Sequence, residues 1–207
     1  MQHTSKPSFG LASLLLLALV GCTSTDGRGD MVASSEGPWI QASPILLQQI
    51  DDEAARLPWT HGFERLEQIR WFASVGEPAY PALLELAADP RDEVAAAALA
   101  SLGATMDRRL VPYLRNLPWS PDRSLDLRLE RARSLVRLGD WKEIPTLIEG
   151  LSDERVYTRS LCAEALREAT HEQKGYDPRA SEELRRTAID RWREWWLSRK
   201  SEGLLGS

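Results

Sequence analysis

Few side chains in this 207-residue sequence suit nucleophilic, metal or neutral-pH acid–base chemistry: Cys22 and Cys162, and three histidines. His61 and His171 lie far apart, both at the ends of predicted helices, and His171-Glu172 is a single His-Glu pair. No HExxH, CxxC, GxSxG or phosphate-cradling glycine loop occurs. Cys162 has core spacing with Thr158 and Leu166 and reads as a small buried hydrophobe rather than a reactive thiol. The run Asp51-Asp52-Glu53 reads as a solvated helix face. Reactive groups that do not converge predict no catalysis, no cofactor, no metal and no small-molecule substrate.

Cys22 is different, because its context is positional. It closes the run Leu19-Val20-Gly21-Cys22, behind a short polar start with one cation, Lys6, and an apolar core from Leu11 to Val20. That layout is a secretory signal, and its apolar stretch is about half the ~20 residues a spanning helix needs. The tetrapeptide resembles the bacterial lipobox, which implies acylation of Cys22, removal of residues 1–21 and attachment to a bilayer by two or three acyl chains. One chain alone would hold only reversibly. With Thr23 after the anchor, the resemblance points to the outer membrane, facing the periplasm.

Loss of Lys6 leaves 25 Lys and Arg against 31 Asp and Glu, a net charge of −6 for the processed chain. An acidic balance argues against nucleic-acid affinity. Once Cys22 carries lipid, only Cys162 remains, so packing rather than a disulfide must hold the fold. Residues 22–42 are rich in Ser, Thr, Gly and Asp without an apolar period and read as a flexible tether.

From Ser43 the chain is helix after helix, with Gly or Pro at the joints. Three segments share a template: Pro81 onward with Val94–Leu102, Pro112 onward with Leu125–Leu138, and Pro145 onward with Val156–Leu166. The prolines fall 31 and 33 residues apart. Val94, Ala98 and Leu102 form one helical stripe, as do Thr158, Cys162 and Leu166. Gly103 and Gly139 stand where helices end and favour a left-handed residue. A two-helix hairpin of ~30 residues cannot bury its stripe alone, so neighbours must share a core.

These units resemble HEAT repeats of the short bacterial variety over residues 43–171. The resemblance implies an all-α, right-handed α-solenoid of stacked helical hairpins. It also implies an Asp–Arg ladder between neighbours, for which Asp126 with Arg131 and Asp153 with Arg159 are the candidates; Ala95 interrupts it in one unit. One HEAT-like family, the deoxyhypusine hydroxylases, binds iron through several His-Glu pairs, and a single pair cannot assemble that site.

Ser43–Val75 reads as a degenerate first unit, with Ser43 as cap and Pro44 as first helical residue. Its apolar faces are predicted from Ile45, Leu46, Ile50 and Leu57, then Leu66, Ile69 and Phe72 or Ala73. Residues 172–200 break the template: a Gly175-Tyr176-Asp177-Pro178 turn precedes a helix with Ile189, Trp192, Trp195 and Trp196. The segment resembles the closing segment of bacterial HEAT-repeat proteins, with Tyr176, Ile189, Trp192 and Trp196 sealing the end. The alternative is a helix that docks on a partner or a lipid interface. Residues 201–207 are expected to be a disordered tail.

Charge changes sign along the repeats. Arg108–Arg137 holds eight arginines against three acids, whereas residues 76–103 hold one against five. Either these arginines pair internally, or Arg123, Arg128, Arg155 and Tyr157 present a docking surface to an acidic protein partner. The functional expectation is a membrane-anchored, non-catalytic protein-binding scaffold. The alternatives are a structural subunit of an envelope complex or an accessory to an enzyme.

Overall fold

In the computed structural model, residues 37–201 are described, and they lie within one compact unit. Cys22, the signal segment, the first part of the tether and the tail from 202 onward fall outside the described residues; Ser201 closes the last helix. Among the described residues the chain is all-α, with nine α-helices and no strand. They are α1 (Pro44–Arg56), α2 (Gly62–Val75), α3 (Tyr80–Ala87), α4 (Asp92–Ala104), α5 (Val111–Arg115), α6 (Leu125–Arg137), α7 (Ile144–Gly150), α8 (Val156–Thr170) and α9 (Glu182–Ser201).

Local chemistry sets these boundaries. Ser43 caps α1 and Ser124 caps α6, each accepting from the backbone N–H three residues on, at 3.3 and 3.2 Å. Prolines occupy the first turns of α1, α3, α5 and α7, where the missing N–H costs nothing. Gly139 follows α6 with φ 87°, and His171 ends α8 with φ 58°. His171 is thus a helix-end residue, and His61 sits just before α2 in extended backbone.

Gly103 departs from expectation. It lies inside α4, buried, and Thr105 takes the end position. A Cβ on Gly103 would come within 2.9 Å of the Ser134 Cα and Cβ. Its role is to let α4 and α6 approach, and the hydroxyl of Ser134 donates across that contact to the Leu99 carbonyl at 2.8 Å.

The second helices of successive hairpins form a packed row: α2 against α4, α4 against α6, α6 against α8. Two apolar clusters divide the interior, and α6 is the wall between them. Its Leu127 and Leu135, with Leu138 just beyond, belong to the first; its Leu129, Ala132 and Val136 belong to the second. A helix apolar on two faces can satisfy both only with a neighbour on each side. Val94, Ala98 and Leu102 are buried as predicted, as are Thr158, Cys162 and Leu166. In the first unit the prediction holds for Ile50, Leu57 and Phe72, but Ile45 and Leu66 face solvent.

Two tryptophans replace missing structure. Trp39, expected in the flexible tether, is buried and packs edge-on against Tyr80 at 5.0 Å and against Tyr113 at 5.1 Å. Trp39 thus belongs to the packed interior, although it lies within the segment 22–42 expected as tether. Asn116 to Ser124, with Pro118 and Pro121, stays irregular and leaves α5 only five residues long. There the Trp119 indole N–H donates to the Ala87 carbonyl at 2.9 Å, and the guanidinium groups of Arg123 and Arg131 lie over its ring at 5.4 and 4.7 Å.

Candidate functional site

An open recess with apolar and charged walls runs over α4, α6 and α8, with a volume of about 430 Å³. Leu127, Leu129, Leu161 and Cys162 supply its apolar side, and Tyr157 stands at its rim, 74% exposed. Asp92, Glu93, Asp126, Glu130 and Arg133 supply its charge. The helix row fixes this geometry: each second helix turns its larger apolar residues inward and shows the groove what remains.

At the centre, Glu130 and Arg133 form an ion pair one helical turn apart at 2.6 Å, both side chains largely shielded from water. Burial pushes the Glu130 carboxyl above the usual carboxylate range, and the Arg133 and Arg137 charges pull the other way without overcoming it. Arg133 Nε is buried without a hydrogen-bond partner. Beneath them the Cys162 thiol is fully buried, and loss of solvation pushes it up to about 12. It is protonated at neutral pH and cannot act as a nucleophile there. A Cβ on Gly150 would come within 2.5 Å of its sulfur, which shows how tightly α7 and α8 close here.

The arginines named from sequence are distributed differently from expectation. Arg123 is nearly buried; it donates to the Asp89 and Pro90 carbonyls at 2.7 and 3.0 Å, and its Nε lies 3.1 Å from Asp92. Arg155 bridges Asp126 and Asp153. Both are committed within the fold, so neither presents the open cation that an acidic partner would need. Arg128 is exposed and lines a second open depression, of about 570 Å³, with Arg131, Glu143 and Glu149. Tyr157 alone among the four expected contact residues lines the main groove.

The ladder exists with different members. Asp126 is taken by Arg155 of the next unit, at 2.6 and 2.5 Å, and not by Arg131, which is spent on Trp119. Arg159 bonds the backbone carbonyls of Asp153, Glu154 and Pro178 rather than the Asp153 carboxylate. The equivalent rung one unit earlier joins Asp92 to Arg123 and to the Ser124 N–H. A parallel rung links Glu77, Arg109 and Asp107. The signal that could have found these arginines is a recurrent Asp-x-Arg spacing: Asp89-Arg91, Asp107-Arg109 and Asp153-Arg155 each close a bidentate loop clamp.

The closing segment packs on α7. Ile189 and Trp192 are buried in the second cluster, with Tyr176, Trp141, Trp195 and Trp196 partly buried against it. The Tyr176 hydroxyl donates to the Leu151 carbonyl at 2.5 Å, and Trp195 meets Trp192 edge-on at 5.5 Å.

Among the described residues, no group of three or more His, Cys, Asp or Glu is placed to hold a metal ion, and no helix is long and apolar enough to cross a membrane. No protein-family model, curated protein or solved structure matches the chain.

Proposed function

We propose that this chain is a lipid-anchored, non-catalytic scaffold whose helical hairpins form a HEAT-like, right-handed α-solenoid. Its task is to hold a segment of a partner protein in the groove over α4, α6 and α8, close to a bacterial membrane. The observation that carries this reading is the groove itself: an open recess with apolar walls and a shielded Glu130–Arg133 pair, spanning three consecutive second helices. Many weak contacts along such a surface suit recognition more than bond chemistry.

The groove's charges indicate which partner fits. Asp92 and Asp126 already have arginine partners, whereas Glu93 is exposed at the lip beside them. A partner segment with a Lys or Arg next to an apolar side chain complements Glu93 while covering Leu161 and Tyr157. That chemistry differs from the acidic partner expected from the arginine count, because Arg123 and Arg155 already have carboxylate partners and Arg128 lies outside this groove.

The anchor in this reading is Cys22, on the outer membrane facing the periplasm. Labelling with radioactive palmitate, compared with Cys22→Ala, tests it; equal signal in both would remove the anchor.

The groove is tested by placing a photo-crosslinking amino acid at Tyr157 and irradiating intact envelopes. The expected result is one crosslinked partner that disappears when Glu93→Lys is added. A crosslink unchanged by Glu93→Lys, or no crosslink from Tyr157, would sink the groove as the docking surface.

A further inference from the structure

The terminal unit of a stacked-helix protein is expected to turn a polar face outward, because it has no neighbour. Here the first hairpin does the opposite. Of the twelve large apolar side chains that stand exposed among the described residues, six lie between residues 40 and 66: Ile40, Ile45, Leu47, Trp59, Phe63 and Leu66. Phe63 and Leu66 lie one turn apart on α2, and Trp59 stands in the short turn before it, with exposures of 74, 52 and 78%. No core contact accounts for them.

We propose that this N-terminal hairpin rests on the surface of the bilayer, with Trp59, Phe63 and Leu66 inserted at the headgroup level; this rests on the reading of Cys22 as the lipid-bearing residue. Only fourteen residues separate Cys22 from Gly37, where the described residues begin. Fully extended, a stretch of that length reaches at most about 50 Å. An anchored protein therefore holds its first hairpin within reach of the headgroups at an effective concentration near the millimolar range. At such a concentration a modest apolar patch is enough to dock. Tryptophan and phenylalanine are the side chains that favour this boundary, apolar in body and tolerant of a wet rim.

Charge and area choose between occupants. The hairpin from Pro44 to Val75 carries five acids against three arginines, so anionic lipid does not attract it and a zwitterionic bilayer suits it. The three side chains together expose about 400 Å² of apolar surface, taking ~200 Å² for a whole aromatic side chain. A patch of that size lies within the range of a monomer's largest apolar patch, and the hairpin's five acids against three arginines oppose a symmetric contact with a second copy. Docking at this end would hold the first hairpin against the bilayer and give the chain one orientation there.

The test uses Cys22 directly. Cys162 is fully buried, so the chain lacking residues 1–21 can be coupled through Cys22 to a maleimide lipid in phosphatidylcholine vesicles, independent of whether cells acylate it. Vesicles containing brominated phosphatidylcholine quench tryptophans at the interface, and Trp59 is the most exposed tryptophan among the described residues. The expected result is quenching in the coupled chain that falls by more than half in Trp59→Phe. It should also weaken severalfold in Phe63→Ser with Leu66→Ser, where Trp59 is kept, and it should persist in 0.5 M salt. Absence of quenching in the coupled parent chain, or quenching indifferent to Trp59→Phe, would overturn the proposal. So would sedimentation of the uncoupled chain as a dimer that Phe63→Ser dissociates. Loss of palmitate labelling in cells with quenching intact would instead discard the anchor reading alone.

Discussion

Arg155 is clamped between two units: its Nη1 and Nη2 donate to the Asp126 carboxylate of α6 at 2.6 and 2.5 Å, and its Nε donates to Asp153 Oδ1 at 3.0 Å. The Arg155 backbone N–H also bonds Asp153, at 2.8 Å. One side chain thereby fixes both the shape of its own loop and the position of that loop against the preceding helix.

This clamp and its counterparts set an acid limit. Hydrogen bonds from Arg91, Arg109 and Arg155 hold the carboxyl groups of Asp89, Asp107 and Asp153 below the usual carboxylate range. Groups with lowered folded values stabilise the fold above the unfolded value of ~3.9 and lose that contribution as pH falls through the folded values. In thermal melts from pH 7 to pH 2.5 these three groups should contribute a fall that begins near pH 4, while the raised Glu130 carboxyl adds stability as pH falls through its own folded value. Arg155→Ala should cost little at pH 7, since exposed pairs are screened, and should shrink the acid-dependent fall. An unchanged pH profile in the variant would deny the clamp its role.

Gly103→Ala places a methyl 2.9 Å from the Ser134 Cα and Cβ, between α4 and α6. Overpacking of this kind costs about 1–3 kcal/mol, against a helix-propensity gain of ~1 kcal/mol. The variant should melt lower by a few degrees, at roughly 2–4 °C per kcal/mol for a domain of this size. Ser134→Gly combined with it should recover part of the loss. A variant more stable than the parent would mean the helices have room to separate.

Trp192 is 1% exposed at the centre of the second cluster. Trp192→Ala should destabilise by about 3–5 kcal/mol in urea unfolding, an effect confined to α7–α9 if hydrogen exchange is followed by segment. A loss below ~1 kcal/mol would show that α9 is an appendage rather than part of the core.

Cys162, with its thiol near 12, should resist a thiol reagent at pH 8 in Cys22→Ser. The thiolate fraction would be ~10⁻⁴, against about a quarter for an unfolded thiol of pKa 8.5. Labelling should be at least ~10³-fold slower in the native protein than in urea. Rapid native labelling would place the thiol at the groove surface instead of beneath it.

Some of this was legible in the chain and some was not, and particular residues show why. Helical spacing found Val94, Ala98 and Leu102, and Thr158, Cys162 and Leu166, because a stripe is a property of one helix. The same logic misplaced Ile45 and Leu66, since a terminal hairpin has a neighbour on one side only. Gly103 looked like a helix end and proved to be a point of close approach, a distinction that depends on the helix across from it. The partners of Arg123, Arg131 and Arg155 depend on how far each hairpin is offset from the last, and no spacing within one unit records that offset.

By itself, the sequence determined the helices, their stops at proline and glycine, the period of the repeats and the scarcity of reactive groups, all of which follow from local backbone chemistry and amphipathic pattern. Only the tertiary structure decided that Trp39 belongs to the core, that Trp119 bonds the Ala87 carbonyl, and that Arg123 and Arg155 are spent on the preceding unit. Only it brought Glu130, Arg133 and Tyr157 to one groove. The physical reason is that side chains from different hairpins meet through packing between helices, and that packing is fixed by the whole apolar interior rather than by any stretch of the chain.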